Sequence, residues 1–572
     1  MAADPSPDLQ AVVGGLTRSG SAFEMIEHAS GDQTLRLWRN GPQTLIDVFI
    51  ATQPFEEREF LVLGDERCSY GRFRNEAQGF ADWLALRGCA AGDTVAVALP
   101  NSPDWIVAYF GIALAGCVSA LINPAGTPTD LSASLSAAQP RVLICTSDVL
   151  RKCDREGANA KSAKFIVVVD KVSESMSAAL EAPIIAWQDA RGHSGSTTVS
   201  SPTGGIASAT LPDSAATIFF TAGTTGQSKG VVLSHRACAY SIFHAGFRNA
   251  RSSALAGQTP PVAAAQQQVL LMVLPLFHTS GICNAVLPLM MRGGRIVMTP
   301  FWSAKSAARL IRAESVNLVG SVPVVLEQLL SEFQGAPPAV SLQQMICGGA
   351  PPDRGLAARV AGAGLIPGQN WGMTETAGAL LGLIGPEFAG RPESCGLPSP
   401  VHDVRIVARD GGPAAPGEVG ELQVRGPQVM LGYLDDAVAT EMAFDGEWLR
   451  TGDLAYRDTE GYCFIVDRAK DMVICAGENV YCLEVENAIA SHPAVAEVAV
   501  FGLPHDVLGE QPVAVVKSAD NVDLDAEDIR RHAALSLALF KVPQLVIVTK
   551  DPLPRNSMGK VLKRELRAAL TE

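Results

Sequence analysis

Residues 221–230 read Thr-Ala-Gly-Thr-Thr-Gly-Gln-Ser-Lys-Gly, and no other stretch limits the fold as tightly. The apolar run Ala216-Thr217-Ile218-Phe219-Phe220 leads in and Val231-Val232-Leu233 leads out, both with the composition of buried strands. The local expectation is therefore strand, glycine-rich loop, strand. Gly223, Gly226 and Gly230 permit positive φ and close backbone approach, and successive N–H groups in such a loop form an anion-binding concavity. Thr221, Thr224 and Thr225 add hydroxyl donors and Lys229 adds positive charge, so the run suits a polyphosphate. A glycine-rich hairpin with a solvated lysine is the plain alternative. The Walker spacing G-x-x-x-x-G-K-[ST] is not met, because the fifth residue after Gly223 is Ser228 and Lys229 is followed by Gly230. A strand follows instead of a helix, so no helix dipole stands behind the anion.

At 572 residues the chain exceeds what one hydrophobic core supports, and two or more domains are expected. With 47% hydrophobic and 18% charged residues it is globular, not disordered. A net charge of −14, without a basic run, opposes a nucleic-acid surface. The twelve cysteines are scattered and form no C-x-x-C pair, which indicates neither a zinc site nor a disulfide framework and fits reduced thiols in a cytoplasmic enzyme. Met1 to Gln10 lacks a basic segment and an apolar core. No uncharged apolar run reaches the roughly 20 residues of a membrane span.

Residues 95–99 read as a strand. Asn101-Ser102-Pro103 then supplies a helix cap and a first-turn proline, Ile106, Tyr109, Phe110, Ala113 and Leu114 follow at helical spacing, and Gly116 ends the helix. Further strands are expected at 119–122, 142–145, 166–169, 269–274, 295–298 and 344–347, with a helix over 304–313 starting from Ser303. The alternation predicts an α/β fold of layered parallel β/α subdomains. Beyond about residue 400, short strands at 404–408, 419–424 and 463–466, parted by Gly/Asp/Pro turns, predict a small antiparallel, barrel-like unit. After about 470 a compact α+β unit is expected, with helices over 483–490 and 526–537 and strands over 495–501, 513–517 and 545–549. Residues 194–214 and 256–268 have the composition of surface loops.

Six further segments accompany the loop: Pro275-Leu276-Phe277-His278-Thr279-Ser280-Gly281, Cys347-Gly348-Gly349-Ala350-Pro351, Asn370-Trp371-Gly372-Met373-Thr374-Glu375, Trp448-Leu449-Arg450-Thr451-Gly452-Asp453, Asp467-Arg468-Ala469-Lys470-Asp471 continuing to Gly477-Glu478-Asn479-Val480, and Pro554-Arg555-Asn556-Ser557-Met558-Gly559-Lys560. Taken singly, each has an ordinary explanation: His278 as a satisfied loop histidine, Trp371 as packing, Asp453 as a turn cap, Lys560 as a solvated charge. Their joint occurrence in this order does not.

With these segments, from about residue 45 onwards, the chain resembles the adenylate-forming superfamily of acyl- and aryl-CoA synthetases, firefly luciferase and the adenylation domains of peptide synthetases. The resemblance implies a role for each position. Thr221, Gly223, Thr224, Thr225, Gly226 and Lys229 would hold the β- and γ-phosphates of ATP. Gly348, Gly349 and Ala350 would line the adenine pocket, with Trp371, followed by Gly372, stacking on the base. Thr374 would contact the α-phosphate and Glu375 would ligate Mg²⁺. Asp453 would accept from the ribose hydroxyls with Arg468 nearby, and His278 would sit beside the substrate carboxylate and gate the pantetheine tunnel. Lys560 would bridge carboxylate and α-phosphate. The implied domains are 1–467 for ATP and carboxylate binding, a hinge at 468–470 with Lys470 absorbing the backbone change, and a mobile lid over 471–572. After rotation, Gly477, Glu478 and Asn479 would line the path of coenzyme A. A homodimer is an assembly the resemblance allows. The roles agree with the chemistry, since a carboxylate attacking a polyphosphate needs cations and orientation more than covalent help.

Departures from the family pattern are Ala222 and Ser228 in the loop, where serine and proline are usual, Trp371 for tyrosine, Cys482 where proline is common, and Ile474 where luciferase-like members have lysine. The first two imply a looser phosphate clamp. Phe277-His278 offers no carboxylate for an α-amino group, so an amino-acid substrate is not expected. The small apolar run Thr376-Ala377-Gly378-Ala379-Leu380-Leu381-Gly382 implies a hydrophobic acid, fatty or aryl. Three readings stand: an AMP-forming acyl-CoA ligase, an acyl-AMP ligase loading a carrier protein, and a nucleotide-binding protein without catalysis. No carrier segment follows Lys560, and Lys560, Glu375 and Asp453 are all present, which favours the first.

Overall fold

The structure, a computed structural model, describes residues 8–30, 33–155, 163–171, 182–192, 210–221, 229–258, 266–299, 301–333, 341–349, 355–519, 522–555 and 560–571. Two large sheets dominate. The first has eight strands in the order Gly432–Tyr433, Lys229–Ser234, Ala215–Thr221, Val118–Leu121, Thr94–Ala98, Val142–Cys145, Phe165–Val168 and Ile184–Ala186. The second has nine, in the order Leu397–Pro398, Gly378–Ile384, Ile366–Met373, Gln344–Gly348, Leu318–Ser321, Val269–Met272, Arg295–Met298, Glu59–Leu63 and Glu66–Ser69. Both are parallel in the middle and antiparallel at one or both ends.

Alternate residues of a strand face opposite sides of its sheet, and the buried residues sort accordingly. Val95 and Val97 join the core between the sheets, while Ala96 and Ala98 join a core on the outer face of the first sheet. Leu270 and Met272 face the shared core, and Val269 and Leu271 the outer face of the second sheet. The helix Pro103–Leu114 lies in the shared core and is buried at every position but Asp104. Its sequence is apolar all round, as a helix enclosed by two layers requires. Ser102 caps it, Pro103 opens it and Gly116, at φ +71°, ends it. Gly111 lets the helix Tyr70–Leu86 approach, since a Cβ there would stand 2.7 Å from the Phe80 ring and 2.9 Å from the Ala77 carbonyl.

A third sheet of five strands is antiparallel: Asp403–Val407, Gly420–Arg425, Trp448–Arg457, Phe444–Asp445 and Cys463–Arg468. Its register sets Asp453 directly opposite Arg468. The remaining residues form an α+β unit. Strands Val473–Cys475, Glu478–Val480, Gly509–Ser518, Val495–His505 and Leu545–Thr549 pack on helices Cys482–Ala490 and Ala526–Ala533 around their own core, which includes Val485, Ile489, Val500, Val516 and Ile529. The second helix is shorter than the expected 526–537: at Ala533 the chain turns, placing Leu537 on the core and leaving Leu535 84% exposed. An N-terminal hairpin, Met25–Ser30 with Gln33–Trp38, precedes the first sheet and had no counterpart in the sequence expectations. All twelve cysteines are buried and free, as packing residues. Among the described residues no helix is long and apolar enough to cross a membrane.

The central helix generates a stability prediction. Phe110→Ala should cost about 3–5 kcal/mol by opening a cavity between the sheets, read as a lower urea midpoint of the near-ultraviolet circular dichroism. An unchanged midpoint would contradict the placement of Phe110 in the shared core.

Candidate active site

The carboxyl ends of the parallel strands of both sheets open onto one cavity of about 1340 Å³. Asn123 follows one strand of the first sheet and Thr221 ends another, while His278, Val322, Gly349 and Thr374 follow strands of the second. Backbone groups freed at strand ends and side chains from several loops converge there, which is where α/β folds bind ligands. A second hollow of about 1050 Å³ shares Gly349, Trp371, Gly372, Arg468, Lys470 and Lys560 with the first, and Asp453 lines it.

The structure thus brings together most of the residues singled out from the sequence. Thr221, Lys229, His278, Gly348, Gly349, Trp371, Gly372, Thr374, Glu375, Arg468, Lys470 and Lys560 all line the first cavity. Gly223, Thr224, Thr225, Gly226 and Ala350, like Ala222 and Ser228, lie outside the described residues. Gly477, Glu478 and Asn479 are not in either lining; Gly477, at φ +86°, turns the chain between the strands Val473–Cys475 and Glu478–Val480, and Glu478 and Asn479 open the second of them.

Lys229 opens its strand opposite Thr221, and its Nζ stands 4.7 Å from the centroid of the Tyr433 ring. Tyr433 in turn donates its hydroxyl proton to Glu375 Oε1 at 2.9 Å. The base of the glycine-rich loop and the Glu375 carboxylate are therefore fixed by one tyrosine, a residue that sequence reasoning missed because it lies on a two-residue edge strand far along the chain. Glu375 is 9% exposed and sits in a single helical turn, Thr374–Thr376, closed by Ala377 at φ +52°. Gly372 and Gly378 are glycines by necessity. A Cβ on Gly372 would stand 1.9 Å from the Gly378 carbonyl oxygen, and one on Gly378, at φ +95°, would stand 2.5 Å from the Asn284 amide.

Asp453 is buried, and both its oxygens are engaged. Oδ2 accepts from Trp371 Nε1 at 2.9 Å, and Oδ1 faces Arg468 Nε at 3.2 Å. Trp371, where the family has tyrosine, thus adds an indole donor to its ring face. Lys560 carries an exposed surface at the cleft and is flanked by Arg468, Asp453 and Lys470. Burial of its amine, then repulsion from Arg468, lowers its pKa to about 8. His278 caps a short turn, and its Nδ1 accepts from the Ser280 N–H at 3.2 Å, which puts the ring proton on Nε2. Burial holds its pKa at about 4, so the ring is neutral at physiological pH.

Next to the expected hinge, Asp467 Oδ1 accepts from the Arg468 N–H at 2.7 Å and Oδ2 from the Cys482 N–H. A proline at 482 would have no such donor, so this departure from the family pattern ties the third sheet to the α+β unit. Burial raises the Asp467 pKa to about 6. Of the small apolar run after Glu375, Gly378 and Ala379 line the cavity, whereas Leu380 and Leu381 belong to the shared core. The cavity also carries Arg248, Asn249 and Arg292. Tyr240, His244 and Arg248 recur every four residues on the buried side of the helix His235–Leu255, so polar groups at core spacing were the available signal.

Comparison with known proteins gives a consistent result. Residues 49–434 match the AMP-binding enzyme family and residues 484–560 the AMP-binding enzyme C-terminal domain. A feruloyl-CoA synthase of an Amycolatopsis species is 31% identical over 506 residues, covering 88% of this chain and 94% of the relative. A 2-succinylbenzoate–CoA ligase of Bacillus subtilis is 30% identical over 515 residues, covering 90% and 95%. Among solved structures, the o-succinylbenzoate CoA synthetase of Bacillus subtilis in complex with its acyl-adenylate intermediate superposes with a TM-score of 0.74 at 27% identity, covering 91% of this chain and 97% of that one. An anthranilate CoA ligase complexed with anthranoyl-AMP shares the fold, with a TM-score of 0.81 at 22% identity over 92% of this chain and 97% of that one.

The close approach at Gly378 is testable. Gly378→Ala should destabilise the protein by about 1–3 kcal/mol through overpacking against Asn284, seen as a lower melting temperature. Gly362→Ala, where nothing lies within 4 Å of the added Cβ, is the control and should leave the melting temperature unchanged. Equal behaviour of the two variants would refute the packing described.

Proposed function

The chain belongs to the AMP-binding enzyme family, and from that premise we propose that it uses ATP to convert a carboxylic acid to an acyl-adenylate and then transfers the acyl group to coenzyme A. The observation that carries this reading is the presence, in one cavity, of Lys560 from the α+β unit and Lys229, His278, Thr374 and Glu375 from the sheets. The relatives, named as acid–CoA ligases, point the same way.

In the first step an oxygen of the substrate carboxylate attacks the α-phosphorus and pyrophosphate leaves. Two anions must meet, so the barrier is set by charge and orientation. Lys229 supports the β- and γ-phosphates, with its ammonium held in place over Tyr433. Thr374 offers a hydroxyl to the α-phosphate. Lys560, a compact point charge, lies between carboxylate and α-phosphate and offsets the charge of both. His278, neutral and carrying its proton on Nε2, donates a hydrogen bond to the substrate carboxylate without adding charge. Trp371 stacks on the base, and Asp453, held by Trp371 and Arg468, presents its remaining lone pairs to the ribose diol. The donor set also fits Mg²⁺. Glu375 is a single buried carboxylate, and no group of three His, Cys, Asp or Glu among the described residues could enclose an ion. That suits a hard cation that takes phosphate and water oxygens for the rest of its shell. When bound, the ion supplies positive charge to the phosphates.

In the second step the thiol attacks the acyl carbon and AMP leaves. Lys560 obstructs that approach, so it must move. We propose the boundary set out from the sequence, 1–467 and 471–572 with 468–470 as hinge, and a rotation about Lys470 that releases Lys560 and brings Gly477, Glu478 and Asn479 to the thiol path. The bond between Asp467 and the Cys482 N–H restrains that rotation.

A coupled assay of AMP release over fatty, aryl and dicarboxylic acids, with and without coenzyme A, tests this function. AMP and pyrophosphate should appear only with a suitable acid, and a thioester only with coenzyme A. AMP release with no acid of the panel would refute it. Lys560→Ala should lose acid-dependent ATP–pyrophosphate exchange by on the order of 100-fold or more while retaining thiolysis of supplied acyl-adenylate. Unchanged exchange would remove the lysine from the first step. The useful form of Lys560 is the cation, and its pKa is lowered to about 8. The kcat/KM for exchange should therefore be steady below that pH and fall as pH rises through it. The same decline in Lys560→Ala would assign it to another group.

A further inference from the structure

Buried charges in proteins are paired, because an unpaired one keeps the full cost of leaving water. The helix His235–Leu255 illustrates the rule and then breaks it. Arg251 is buried against Glu387, Nε to Oε1 at 3.0 Å, with both side chains 2% exposed. Arg248, one turn earlier and 4% exposed, has no carboxylate partner among the described residues. Its guanidinium donates only to amide oxygens: Nη2 to Asn249 Oδ1 at 3.2 Å, and Nη1 to Asn370 Oδ1. A second arginine, Arg292, is exposed where it lines the same cavity, and its charge depresses Arg248 further. The Nη2 of Arg292 is 3.1 Å from where a Cβ on Gly246 would stand, and among the described residues it makes no hydrogen bond or ion pair. Both arginines line the large cavity, and the fold has given Gly382 no side chain where a Cβ would stand 3.0 Å from Arg248 Cδ.

Arg248 is set back from the reacting end. Asn370, which holds Arg248, is four residues before Thr374 along an extended strand, a distance of roughly 13 Å. The phosphates already have Lys229, Lys560 and Arg468 in the same cavity. The lining also includes Leu274, Ala285, Pro288 and Leu318, which suit an apolar body. We propose that the acid this enzyme activates carries a second anionic group, a carboxylate at the far end of an apolar alkyl or aryl spacer, received by Arg248 and Arg292. This inference rests on the ligase reading above. A guanidinium fork matches a carboxylate in shape as well as charge, and an acid with a neutral tail would leave the buried Arg248 without a counter-charge.

The test is ATP–pyrophosphate exchange without coenzyme A, so that the phosphates of coenzyme A play no part, on matched pairs such as suberate with octanoate and 4-carboxycinnamate with 4-methylcinnamate. The dianionic member of at least one pair should have a kcat/KM roughly 10- to 100-fold above its neutral-tailed counterpart. Arg292→Met and Arg248→Met should each reduce that ratio towards one; Arg292→Met alone decides the matter if the buried Arg248 variant does not fold. A wild-type preference for the neutral tail in every pair, or an unchanged ratio in the variants, overturns the proposal and leaves the ligase reading standing. Exchange with no acid at all overturns both.

Discussion

The Asp453 carboxylate has lost nearly all its water, and two parts of the molecule meet on it. Trp371 reaches it from the second large sheet and Arg468 across the antiparallel ladder, while its charge also acts on Lys560 of the α+β unit. A buried carboxylate is tolerable only where donors and cations surround it. The requirement to satisfy Asp453 therefore fixes the indole and the guanidinium relative to one another. Arg468 is both a partner of this carboxylate and the first residue of the proposed hinge. Any rotation of the α+β unit must begin beside it, so the interaction that orders the site also marks where the site can open.

The same electrostatic logic runs through the rest of the cavity. Positive groups outnumber protein carboxylates there: Lys229, Arg248, Arg292, Arg450, Arg468, Lys470, Arg555 and Lys560 line the wall with Asp130, Glu375, Glu421, Asp436 and Glu565. Arg251 shows that the fold can supply a counter-ion when a cation is structural. Where it supplies none, an anionic ligand is the natural partner. An excess of positive charge held in advance by packing needs little reorganisation when two anions have to react. The depressed pKa of Lys560 is the cost of this arrangement in the ligand-free site, and a bound polyphosphate would reverse it.

Much of the fold could be read from the chain because its signals are local. Short apolar runs marked the strands Arg295–Met298, Val142–Cys145 and Leu545–Thr549 to the residue, and Ser303 marked the start of the helix Ala304–Ala313. Motif order indicated the family and the residues that gather at the strand ends. What could not be read depends on pairing between distant elements. Tyr433 acquires its place from an edge pairing with the strand that carries Lys229, and Asp453 meets Arg468 through register. Cys482 was visible as a departure, but its consequence depends on a backbone N–H whose acceptor lies fifteen residues earlier. The charged side of the proposed acid pocket was hidden because Arg248 sits on a helix whose neighbours are ordinary core residues, and only the structure shows that it has no carboxylate partner among the described residues. The expected helix over 526–537 stopped early for a similar reason: burying Leu537 required a turn that local propensity does not reveal.

The central claim is that a carboxylate oxygen of the substrate forms a bond to the α-phosphorus of ATP in the cavity described. Oxygen-18 tracing tests it directly. A substrate acid labelled in both carboxylate oxygens, incubated with enzyme, ATP and coenzyme A, should yield AMP carrying one labelled oxygen, with unlabelled pyrophosphate and a thioester retaining the other label. Unlabelled AMP, or label appearing in pyrophosphate or inorganic phosphate, would contradict the account.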